Sequence, residues 1–132
     1  MAEVLQNIKE ASLPEITIIL KSNGIVYVTL LKNQTLDVAL QMKMVECYNQ
    51  VTNGKLTPFL FEAEDGVTIT PEARHNATLL EEIVPVKALA LVVNSLPYAM
   101  VANFYLKFNK PKRPSKVFKT KVLAIEWLEQ FL

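Results

Sequence analysis

The sequence predicts an α/β sandwich, a mixed sheet with helices on both faces, in one domain over residues 1–132 with 1–14 as an N-terminal extension. Three observations carry this. Two β-branched runs meet at Asn23-Gly24, the nine-residue run 86–94 (VKALALVVN) is almost wholly apolar, and helical stripes alternate with short strands from residue 35 onward. A hairpin followed by alternating strands and helices closes most simply as a mixed sheet with crossover helices.

Each element has a local cause. Residues 16–20 and 25–31 suit a pleated surface, and Asn23-Gly24 between them supplies the positive φ angles of a tight turn. The first helix is expected from about Thr35 to Thr52, with Thr35 as its cap and Asp37 favouring the positive end of its dipole. Its inner stripe is Leu40, Met44, Cys47, Tyr48 and Val51, and Asn53-Gly54 ends it. Residues 58–61 read as a short buried strand, followed by the acidic loop 62–66. Thr70-Pro71-Glu72 opens a second helix that runs to about Ile83 with Ala73, Ala77, Leu80 and Val84 inward. The run 86–94 has the character of a central strand buried on both faces. A third helix from about Pro97 to Phe108, a proline-rich loop, a strand at 116–118 and a last helix from Thr120 complete the chain. The last helix aligns Ala124, Trp127, Leu128 and Phe131 on one stripe.

The strand–acid–helix junction 58–73, the hairpin at 23–25, the Ala90-Leu91-Val92-Val93 strand, the Asn103-Phe104-Tyr105-Leu106 helix leading to Asn109-Lys110-Pro111, and the closing 124–128 segment together resemble the STAS superfamily, the sulfate-transporter and anti-sigma-factor-antagonist fold. More narrowly it resembles a group of small stand-alone bacterial proteins of uncharacterised role within that superfamily, over about residues 15–132. The resemblance implies a non-catalytic regulatory module that acts by protein–protein contact. Members with the phosphoswitch carry a serine at the start of the helix after the third strand. Here the junction reads 64–71 (EDGVTITP), without that serine motif, so Thr68 and Thr70 are the only candidate regulatory hydroxyls. Thr70 is read first as a helix cap.

Composition narrows the chemistry. With 51% hydrophobic and 20% charged residues the chain is not disordered, and its one cysteine excludes an intramolecular disulfide or a multi-cysteine zinc site. Cys47 sits on the apolar stripe of its helix, while His75 lies roughly 200° around the second helix from Ala73, so no Cys/His nucleophile pair is expected. Glu62, Glu64 and Asp65 are read as a solvated acidic loop, and no phosphate-cradling glycine motif occurs. No enzyme activity, cofactor or metal is therefore expected. Residues 1–15 contain acids and no continuous apolar run, so no signal peptide is expected. The longest apolar stretch, Val84 to Val93, is broken by Pro85 and Lys87 and too short to span a bilayer, so no transmembrane segment and a cytoplasmic location are expected.

Two surfaces stand out. Lys107, Lys110, Lys112, Arg113, Lys116, Lys119 and Lys121 put seven cations and no acid into residues 107–121, leaving the rest of the chain at −6. Lys107, Lys110, Lys112, Arg113 and Lys116 form a candidate patch for an acidic partner or peripheral contact with an anionic membrane surface, set against a plain solvated loop. Nucleic acid is not expected, because few aromatics interleave the charges. The third helix carries apolar side chains over an arc of about 260°, more than one sheet face needs. Tyr98, Met100, Tyr105 and Leu106 on it are the candidate face for a two-fold homodimer or a ligand. The competing expectation is that the N-terminal segment, with Val4, Leu5 and Ile8, folds over the excess in the same chain. The alternative function is a carrier of a small apolar ligand or lipid held between helices and sheet.

Overall fold

The computed structural model describes residues 4–132, and their side chains except at Leu96, Pro97, Val101, Phe104, Tyr105, Phe108 and Asn109. Its framework is a six-stranded mixed sheet. The strands are β1 (Asn7–Glu10), β2 (Ile16–Lys21), β3 (Val26–Leu30), β5 (Thr57–Ala63), β7 (Val86–Val92) and β8 (Ser115–Phe118), hydrogen-bonded in that order. The first three are antiparallel and the last four run parallel, so the hairpin feeds directly into crossover units. Two further strands, β4 (Thr35–Leu36) and β6 (Thr68–Ile69), pair in parallel as a separate two-residue ladder.

Four helices connect and cover the sheet: α1 (Val38–Thr52), α2 (Pro71–Leu80), α3 (Leu96–Asn109) and α4 (Lys121–Leu128), the last continuing into a 3-10 turn, Glu129–Phe131. Every one begins at a side-chain cap. Asp37, Thr70, Ser95 and Thr120 each accept from the amide three residues on, satisfying an amide that the first turn leaves without a helical partner.

Three expectations change here. The first helix starts at Val38, capped by the Asp37 carboxylate on the Leu40 amide at 2.8 Å, rather than by Thr35. Thr35 is drawn into the β4–β6 ladder, its hydroxyl 3.0 Å from that of Thr68. The N-terminal segment does not cover α3 either. Residues 7–10 form β1 on the β2 edge, and α3 packs beside β8 at the other edge. The second helix ends at Leu80 and passes through turns to Pro85, a few residues short of the expected Ile83.

The core has two layers that follow from strand alternation. On one face Ile16, Ile18, Val26, Val28 and Phe59 pack against Leu40, Met44, Tyr48 and Val51 of α1 and Ala73 of α2. The Tyr48 and Phe59 rings meet edge to face at 4.8 Å. On the other face Ile25, Tyr27, Leu60, Ala88 and Ala90 meet Ala124 and Leu128 of α4. Small residues on both sides let α4 approach β7 closely, so this layer closes. The opposite face of β5 and β7 carries the larger Phe61, Leu89 and Leu91, none of them fully buried.

Candidate functional site

That bulky face opens into a groove of about 680 Å³ between the sheet and helices α1, α2 and α3. Its floor is Phe59 and Phe61 of β5 with Leu89 and Leu91 of β7. One wall is Ala73, Ala77 and Leu80 of α2, backed by Met44 and Tyr48 of α1; the other is Tyr98, Ala102 and Leu106 of α3. The volume falls within the range of small-molecule sites, and the apolar lining with few polar groups is their usual character.

Local causes keep the groove open. α2 is ten residues long and is tied toward α1 rather than over β7. The buried Gln41 side chain donates to the Ala73 carbonyl at 2.8 Å and accepts from Asn76 Nδ2 at 3.0 Å, so its amide is satisfied on both atoms. α3 lies alongside β8 at the sheet edge, and the gap over Leu89 and Leu91 lies between α2 and α3.

The two ends of the groove differ in charge. At the carboxyl ends of the parallel strands sit Glu62, Glu64, Asp65 and Asn94. Glu62 accepts from the Thr29 hydroxyl at 3.3 Å and pairs with Lys121 at 2.9 Å, and Glu64 accepts from the Lys32 amide at 2.9 Å. The other end holds Pro111, Arg113, Ser115 and Glu81. There the loop after α3 is clipped to the end of α2: Lys112 pairs with Glu82, and the Arg113 amide donates to Glu81 at 3.3 Å. The Lys112 hydrogen bond and charge hold the Glu82 carboxyl below its ordinary range, and the same contact raises Lys112.

The residues singled out in the sequence are dispersed. Thr68 lies in β6 with its hydroxyl on Thr35, and Thr70 caps α2, its hydroxyl accepting from the Ala73 amide at 3.1 Å. The basic segment does not present one continuous face. Lys112 and Lys121 are ion-paired, Lys116 lies 5.5 Å from the Phe118 ring centre, Arg113 is half-buried at the groove, and Lys107 and Lys110 are exposed. The α3 candidates divide. Tyr98 and Leu106 line the groove, whereas Met100 is 65% exposed outside it; the Tyr105 side chain lies outside the described residues. Cys47 is buried in the first core layer, where burial and then the neighbouring Glu46 raise its thiol, while His75 is exposed on α2. Among the described residues no three His, Cys, Asp or Glu side chains form a group able to hold a metal. No helix there is long and apolar enough to cross a membrane.

Sequence reasoning missed the groove floor and Gln41. An apolar strand reads the same whether its second face meets a helix or a gap, and a lone glutamine on a helix gives no sign of a partner 35 residues away.

A six-stranded mixed sheet with this helix arrangement defines a protein with the SpoIIAA-like, that is STAS-like, fold. An uncharacterized protein from the DUF3478 family with a SpoIIAA-like fold, from Shewanella loihica PV-4, superposes with a TM-score of 0.58 at 13% identity, over 97% of this chain and 98% of that one. The chain belongs to the family described as Domain of unknown function (DUF7793), whose model matches residues 18–132. No curated protein matches it.

Proposed function

We propose that the protein is a non-catalytic binding module whose groove takes a small apolar molecule. The observation that carries this is the groove of about 680 Å³ floored by Phe61, Leu89 and Leu91. Side chains of this size on central strands ordinarily lie under a helix, and leaving them only partly buried forgoes burial worth about 25 cal/mol per Å². An apolar occupant restores that burial without moving the sheet. The paired Glu62 and the capping Thr70 hydroxyl are engaged within the protein, and no chemical step is assigned to them.

The test is methyl-resolved NMR with an apolar probe such as dodecanol. Shifts should concentrate on Leu89 and Leu91, and exposed Val122 on α4 should not move. Equal shifts at all exposed methyls would refute a defined site.

A protein contact through the outer side of α3 is the second reading, favoured by Met100, which stands outside the groove. A two-fold dimer through this face would appear as a doubled mass in light scattering, abolished by Met100→Lys. A regulatory role and a cytoplasmic setting belong to this second reading.

A further inference from the structure

We propose, on the strength of the groove reading above, that the ligand is a long-chain carboxylate whose headgroup is held by Arg113. Arg113 lines the apolar groove and is half-buried. Its backbone is fixed from several sides. The amide donates to Glu81 at 3.3 Å, the carbonyl accepts from the Ser115 hydroxyl at 3.1 Å, and Pro114 follows directly. The adjacent carboxylates are already engaged, Glu82 by Lys112 and Glu81 by the Arg113 amide. Among the described residues, none forms a salt bridge with the Arg113 guanidinium, whose charge reaches Glu82 only from beyond salt-bridge distance.

A half-buried cation without an ion-pair partner, beside an apolar surface, suits an amphiphile. Guanidinium is weakly hydrated and binds carboxylate through two parallel hydrogen bonds. The alkyl tail then lies over Leu89 and Leu91, along the strand that pairs with the one following Arg113. The opposite end gathers Glu62, Glu64 and Asp65 against one cation, Arg74, which already has an interaction within the protein, so that end is unfavourable to an anion. The charge difference between the ends therefore fixes the direction of the ligand as well as its class.

Isothermal titration of the full chain with dodecanoate and with dodecanol, both below their aggregation limits, tests this. The wild-type protein should bind dodecanoate roughly tenfold or more tightly than dodecanol. Arg113→Gln should remove that preference by weakening dodecanoate far more than dodecanol. Should Arg113→Gln fail to fold, Arg113→Lys keeps the charge but not the paired hydrogen bonds, and should reduce the preference. Equal wild-type affinity for the two compounds, or a preference that survives both substitutions, overturns the Arg113 assignment while leaving the groove as an apolar site. Binding of neither compound overturns the groove reading, and the headgroup assignment with it.

Discussion

Gln41 and Asn76 join α1 to α2 at the edge of the groove, with Asn76 Nδ2 donating to Gln41 Oε1 at 3.0 Å. The same glutamine donates from its other amide atom to the Ala73 carbonyl at 2.8 Å, so one buried side chain sets how far α2 stands from β7. Gln41→Ala removes both contacts and should cost about 1–3 kcal/mol in urea unfolding. A loss below a few tenths of a kcal/mol would mean the helix pair is held by apolar packing alone.

Thr70 should behave as a structural cap. Thr70→Ala removes the acceptor for the Ala73 amide and should destabilise by about 0.5–2 kcal/mol, with Thr70→Ser close to wild type. Unchanged stability in Thr70→Ala would show that the hydroxyl serves another purpose.

Gly66 holds the acidic loop against the turn before α1. It adopts φ +78°, and a Cβ there would fall 2.0 Å from Asn33 Oδ1. Gly66→Ala should therefore lower stability by more than about 1 kcal/mol, because left-handed backbone strain adds to the clash. A neutral result would require the Asn33 side chain to swing away freely while its backbone amide keeps its hydrogen bond to the Asp65 carbonyl.

The Lys112–Glu82 clip sets a pH window for the loop beside Arg113. The hydrogen bond from Lys112, then its charge, lowers the Glu82 carboxyl, so the contact is complete above the ordinary glutamate range and is lost as pH falls through the lowered value. On the alkaline side Lys112 is raised by the same contact, which persists until pH rises through that raised value. Both groups are exposed, so the effect falls on local order of the loop and is weakened by salt. A carboxyl NMR titration should place Glu82 below the ordinary glutamate midpoint, and Lys112→Gln should bring it back up toward that midpoint, with Arg113 still acting on it. A Glu82 midpoint indifferent to Lys112→Gln would remove the clip.

The elements legible in the sequence are those whose causes are local. Asn23-Gly24 announces the β2–β3 hairpin, and Thr70-Pro71 announces α2. β1 was not legible, because residues 7–10 hold a single β-branched residue among polar ones and owe their strand to the waiting edge of β2. β4 and β6 were hidden for the same reason: each is two residues long and its partner is 33 positions away. Tyr98, Leu106 and Arg113 were visible as an apolar helix face and a basic loop. Their convergence on one groove depends on α3 lying at the β8 edge, which no local pattern encodes.

The central claim is that the gap between α2 and α3 is a ligand site. Native mass spectrometry of freshly purified protein and of Ala77→Trp, each incubated with dodecanoate, tests it most directly. Ala77 is half-buried on the α2 wall, and an indole there should occupy the groove space above Leu89. The account predicts a one-to-one adduct on the wild-type protein that Ala77→Trp loses while remaining folded. No wild-type adduct, or the same adduct on both proteins, would contradict it.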